Sequence, residues 1–174
     1  MVAAAAESLR RHGVAGTSFT EVLAASGAAR GAIYHHFAGG KAELIEEAVA
    51  LTGAGVTAAL ASLPEAGSEA EVIDGFLKLV RPVVRESAAG AGCAVAAVVT
   101  ESARQDPLQL ASREVLDRWR KTLAAHFVRA GTSTRRAGDL AALLLATLEG
   151  AHVLCRADGT IKPFDRAAAA LRQP

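Results

Sequence analysis

From Leu140 to Leu148 the sequence reads Leu-Ala-Ala-Leu-Leu-Leu-Ala-Thr-Leu, with no charged side chain in any register. Wound as a helix, this stretch is apolar all round and must be covered on both sides. A chain that carries it has to supply other helices, or a second copy of itself, as the cover. The rest of the sequence suits that need. Alanine, the strongest helix former, supplies much of the 51% hydrophobic content, and aromatic residues are only 4%. Valine, isoleucine and threonine do not gather into alternating, strand-like runs. The expected fold is all-α, and 174 residues allow one compact core or a small module fused to a larger one.

Punctuation residues divide the chain. A first helix is expected over 2–12, with Val2, Ala5, Ala6 and Leu9 on one face and Gly13 as its stop. Thr17 and Ser18 are N-cap candidates for a short second helix over about 18–25 that buries Phe19, Val22 and Leu23. Gly27 breaks it, a third helix runs through Ile33 to about His36, and Gly39-Gly40 forms the next hinge. A long helix follows over 41–62, ended by Leu63-Pro64. Ser68 and Glu71 have the spacing of a reciprocal capping box, opening a helix with Val72, Phe76, Leu79, Val80 and Val83 at helical spacing and a kink expected at Pro82. A sixth helix is expected over 93–103. Asp106-Pro107 opens a seventh with the stripe Leu116, Trp119, Leu123 and Phe127. Gly131 closes it, Thr132 or Ser133 caps the eighth, and a short last helix covers about 163–172. The count is about nine helices, three short ones and then a bundle.

The functional signal lies between Ser18 and Phe37. Two short helices joined across a glycine turn, with Val22 and Ile33 spaced to pack where they cross, describe a helix-turn-helix. By spacing alone an ordinary helical hairpin is an equal reading. The segment Ile33-Tyr34-His35-His36-Phe37-Ala38-Gly39-Gly40-Lys41, followed by Glu43-Leu44, resembles the signature of the TetR family of bacterial transcriptional regulators. The match covers about residues 3–50, one helix from the N-terminus. Gly39-Gly40 and Gly92-Cys93-Ala94-Val95 resemble a drug- and flavonoid-responsive subgroup of repressors. Leu23 and Ala28 stand where the family prefers alanine and valine.

The resemblance implies a helix-turn-helix DNA-binding domain over 1–45 and a ligand-binding and dimerisation domain over 46–174. It places the third helix in the major groove. There Ala28, Ala29, Gly31 and Ala32 are small enough for close backbone approach, and Arg30 can pair with a guanine or reach a phosphate. Tyr34 and His35 would face the duplex and bond phosphate oxygens, while His36 packs or caps. Thr17, Ser18 and Thr20, at the start of the second helix, and Lys41, at the start of the fourth, would anchor further phosphates. Residues 1–50 carry Arg10, Arg11, Arg30 and Lys41 against Glu7, Glu21, Glu43, Glu46 and Glu47, less positive than a DNA-binding module usually is. The family's usual basic residues ahead of the first helix do not occur in this sequence, so weak affinity is expected of a chain without them.

Residues 60–174 offer no constellation that looks catalytic. By the resemblance, the middle helices line a cavity and the last two form a four-helix homodimer contact. The expected walls are Phe76, Leu79 and Val83 on the proline-containing helix, facing Cys93, Val98, Trp119 and Leu123. Glu149 and His152 either line that cavity or pair with each other or with an arginine. His126 reads as a satisfied interior or surface histidine. With few convergent polar groups, the small-molecule inducer should be largely apolar. Two readings compete: a helical ligand-binding or interaction module that no longer binds DNA, and a small helical enzyme using Glu149 and His152 as acid and base.

Cys93 and Cys155 stand alone, with no CxxC and no histidine at zinc spacing, so the expectation is two reduced, buried thiols, no metal and no cofactor. The uncharged stretch Ser87–Thr100 is too short and glycine-rich for a bilayer, which needs about 20 apolar residues. The N-terminal alanines are interrupted by Glu7, Arg10 and Arg11, unlike a signal peptide. A soluble, cytoplasmic protein without a membrane partner is expected.

Overall fold

The computed structural model describes residues 1–173, and the side chains of all of these except Arg30 and Tyr34. Among them run nine α-helices and no strand: α1 (Val2–Gly16), α2 (Phe19–Ser26), α3 (Arg30–His36), α4 (Lys41–Ala61), α5 (Glu69–Ala88), α6 (Ala94–Glu101), α7 (Pro107–Arg129), α8 (Thr134–Asp158) and α9 (Lys162–Leu171). They form two compact units that do not divide at a single point of the chain. The first comprises Met1–Gly55 with Cys93–Leu116, the second Val56–Gly92 with Asp117–Pro174.

In the first unit α1 packs on α6 and α2, and α2 on α3. Its core is aliphatic, with Ala5, Leu9, Val22, Ile33, Leu44, Ile45, Ala48, Val49, Val95 and Val98 essentially inaccessible, and Phe37 close behind. Gly13 does break α1, as its type suggests, but the chain resumes one further turn to Gly16. The break is a residue with φ 70° and ψ −172°, a left-handed-side conformation that a side chain resists. Gly53 and Gly55, both within α4, differ in kind. A Cβ on Gly53 would stand 2.8 Å from both γ-carbons of Val115, whereas one on Gly55 would meet nothing within 4 Å.

The second unit buries four large aromatics. Trp119, Phe76, Phe127 and Phe164 are fully buried, each contributing roughly 1.5–3 kcal/mol by leaving water. Here α5 packs on α8 and α8 on α9. Exposed ion pairs edge these contacts, Arg136 forking onto Glu69 at 2.7 Å and 2.7 Å and Arg172 reaching Asp74 at 2.9 Å, pairs of a kind that adds little stability. Arg136 holds the Glu69 carboxyl below its ordinary range, and Lys78 and then Arg172 do the same for Asp74.

Several expectations need correction. The capping box is not reciprocal: Ser68 Oγ accepts from the Glu71 amide, but the Glu71 carboxylate takes the Gly67 amide at 2.7 Å. The inward row of α5 is Val72, Phe76, Leu77, Val80, Val84 and Ser87. Leu79 is half-buried and Val83 is 42% exposed. Two neighbouring apolar rows run along this helix, so spacing alone could not choose which one turns inward. The helix continues through Pro82 over its full length. Of the cysteines, Cys155 is buried while Cys93 is half-buried and caps α6, its sulfur accepting from the Ala96 amide. Both α4 and α8 are long and apolar enough, by length and composition, to cross a bilayer, unlike Ser87–Thr100. In this structure each buries one face in the helical units.

Candidate functional site

The helix-turn-helix is assembled from local chemistry. Ser18, in extended conformation, caps α2 by accepting from the Glu21 amide at 3.2 Å. Gly27 ends α2 with φ 68° and ψ 11°, the left-handed conformation a glycine adopts without strain. Two residues later α3 begins. Val22 and Ile33 are both buried, which fixes α2 against α3 and turns the opposite face of α3 outward.

Among the described residues, those at the start of α3 and just before it are small. Ala29, Gly31 and His35 are exposed, Ala28 and Ala32 half-buried, and a Cβ on Gly31 would have open space around it. The backbone of Arg30 and Tyr34 lies in α3, while the expected roles of these two side chains lie outside the described residues. Ser18 and Thr20 are exposed at the start of α2. Thr17 is not: it is 1% exposed, and its hydroxyl donates to the Gly13 carbonyl at 2.7 Å. The structure therefore puts Thr17 beneath the α1–α2 junction rather than on the outer surface. His36 is exposed rather than packed or capping, its ring edge-on to His35 at 5.6 Å between centroids. Lys41 opens α4 half-buried, and its Nζ donates to the Val14 carbonyl at 2.6 Å. An ammonium has three donors, so this bond holds the lysine in place and leaves its charge on the surface of the unit.

The residues expected to form a cavity divide between the units. Cys93 and Val98 belong to the first; Phe76, Leu79, Val83, Trp119, Leu123, Glu149 and His152 belong to the second. Phe76, Trp119 and Leu123 are buried there, and Glu149 is half-buried. His152 Nδ1 lies within hydrogen-bond distance of the Ser87 hydroxyl, at 2.6 Å, both residues being buried. The same hydroxyl lies 3.3 Å from the Val83 carbonyl. A hydroxyl has one proton, so with that proton on Val83 the histidine Nδ1–H is the donor to Ser87. Ser87 was not foreseen. Its signal was that it is the polar member of the inward row of α5, and that row could be identified only after folding.

His126 is 6% exposed, with Nδ1 accepting from Arg129 at 2.8 Å. Burial, and then the Arg129 charge, push its pKa below the ordinary histidine value, against a hydrogen bond to the Leu60 backbone. It is a satisfied interior histidine.

Comparison with known proteins agrees with this geometry. Residues 1–48 match the family model described as bacterial regulatory proteins, tetR family, and residues 70–170 match that of the LmrA/YxaF-like transcriptional regulators, C-terminal domain. The chain is 36% identical over 171 residues to an HTH-type transcriptional regulator of Mycobacterium tuberculosis, covering 95% of this chain and 87% of that one. To the HTH-type transcriptional regulator LmrA of Bacillus subtilis it is 29% identical, over 88% and 83% of the two chains. Among solved structures, a TetR transcriptional regulator from Chloroflexus aurantiacus superposes with a TM-score of 0.74 at 30% identity, over 98% and 89% of the chains. One from Legionella pneumophila shares the fold, with a TM-score of 0.82 at 16% identity over 97% and 91%.

Proposed function

This chain belongs to the TetR family of DNA-binding transcriptional regulators, which are not enzymes, and on that premise we propose that it is a repressor released from a palindromic operator by a small, largely apolar ligand. The observation that carries the reading is the outward face of α3. Ala29 and Gly31 leave the helix backbone approachable, as a helix that lies against base edges requires, and buried Val22 and Ile33 hold it in that attitude. In this reading residues 1–45 are the DNA-binding domain and residues 46–174 sense the ligand and dimerise. Ala28, Ala29, Arg30 and Gly31 read base edges, while Ser18, Thr20, Tyr34, His35 and Lys41 fix register on phosphates. Thr17 leaves the contact set because its hydroxyl is already committed.

In this reading the ligand site lies in the second unit, with the buried Ser87–His152 pair as a polar group and buried Phe76, Trp119 and Leu123 as apolar ones. The homodimer forms through α8 and α9. The support is that Leu143, Val153 and Leu154 are 48%, 66% and 56% exposed along one stripe of α8, alongside exposed Ala142, Ala146 and Ala157. A stripe of that composition is suited to a second copy. A dimer reads two half-sites only at a matching separation, so a ligand that favours the mismatched state releases DNA in proportion to its differential affinity. The protein acts in the cytoplasm.

The test is titration of the purified protein with the duplex upstream of its own gene at two salt concentrations. Binding that weakens steeply with salt and is lost in Arg30→Ala and Tyr34→Ala is expected. Absence of binding at low salt would refute the reading.

A further inference from the structure

The last turn of α1 lacks a cap of its own. After the break at Gly13 a new helical turn begins at Val14, and its first amides have no carbonyl behind them in the chain. The residue in the cap position is glycine, which has no side chain to offer. The Glu101 carboxylate fills the role from α6: Oε1 accepts from the Val14 amide at 3.2 Å and Oε2 from the Ala15 amide at 3.0 Å. The absence of a Cβ at Gly13 is what admits it, because that atom would stand 2.1 Å from Glu101 Oε1. From the opposite end of the same peptide stretch, Lys41 Nζ holds the Val14 carbonyl.

Glu101 has no local reason to be acidic. It ends α6, where the helix dipole disfavours a carboxylate. Its bonds reach 86 and 87 residues back along the chain, to the turn that leads into Thr17 and the Ser18 cap of α2. We infer that Glu101 is a positioning residue for DNA recognition: it caps the final turn of α1 from another helix and so sets where α2 and α3 begin. The inference rests on the proposed operator reading for its functional half, and on the geometry alone for the cap. It makes α6 part of the DNA-reading unit, through a bond that any displacement of α6 relative to α1 must stretch.

The test uses the full chain with Glu101→Gln, which keeps the side-chain shape, and Glu101→Ala. Amide hydrogen exchange is measured without DNA, and affinity is measured for the duplex upstream of the gene. Exchange at Val14 and Ala15 is expected to quicken in Glu101→Ala by about threefold to tenfold, and by less in Glu101→Gln, which retains one acceptor. Affinity for the duplex should fall in both, with the slope of log K against log salt unchanged because no phosphate contact is removed. The sign discriminates: losing a negative charge would by itself tighten DNA binding, and a merely surface-exposed glutamate would do only that. Unchanged exchange, or tighter binding in Glu101→Gln, overturns the inference. The exchange readout needs no DNA, so failure of the wild-type protein to bind the duplex would overturn the proposed function while leaving the cap to be judged on its own.

Discussion

Alanine substitutions at Gly53 and Gly55 should have opposite effects, although the two positions lie one turn-fraction apart on the same helix. Each replacement gains about 0.5–1 kcal/mol from backbone propensity in the interior of α4. At Gly55 nothing opposes that gain, since the added methyl projects into open space and the residue is exposed. At Gly53 the methyl would lie 2.8 Å from both γ-carbons of Val115, far inside contact distance. Valine is stiff about χ1 and cannot swing one methyl away without bringing the other in. Overpacking of this kind costs about 1–3 kcal/mol, which exceeds the propensity gain. Gly55→Ala is therefore expected to be stabilised by roughly 0.5–1 kcal/mol and Gly53→Ala destabilised by roughly 1 kcal/mol. The gap of about 2 kcal/mol is readable from urea-unfolding midpoints at constant slope. In a Val115→Ala background the added methyl has room, so Gly53→Ala should cost less there than in the wild-type chain, a coupling read from a double-mutant cycle. Equal stabilisation by both single changes would refute the close approach of α4 to α7 at this point, and with it the identification of Gly53 as a contact glycine.

Ser18→Ala removes the cap of α2 and should cost about 1 kcal/mol of stability, checked by thermal melting. His126 has a folded-state pKa below its unfolded value. As pH falls through the ordinary histidine range, the unfolded chain takes up the proton that the folded protein resists. Stability should therefore fall on acidification below about pH 6.5. His126→Gln should flatten that dependence between pH 7.5 and 5.5, and an unaltered slope would dismiss His126 as its source. Ser87→Ala removes the hydroxyl bonded to the buried His152 Nδ1 and should cost about 0.5–1.5 kcal/mol, the usual net worth of one hydrogen bond. Ser87→Ala combined with His152→Leu should cost less than the sum of the two single changes, as measured by denaturant titration.

The helical character, the approximate ends of most helices and the helix-turn-helix were legible in the sequence because each depends on near neighbours. Ser18, Gly27, Asp106-Pro107 and Gly131 act within a turn of where they stand, and the spacing of Val22 and Ile33 needed only helix geometry to predict their burial. Rotation about a helix axis was not legible where two adjacent rows are both apolar. On α5, Leu77 and Val84 turned inward while Val83 went to the surface, a choice made by α8 and α9 packing against it. The fates of polar side chains were hidden for the same reason. Thr17 looks like a cap and is a buried strut, Ser87 looks incidental and holds His152, and Glu101 serves a helix it is not part of. Each partner lies in another helix or across a turn, and a hydrogen bond over 65 or 87 residues leaves no periodic trace in the chain. Local propensity is written in the sequence, but which surfaces meet is settled by the packing of whole helices.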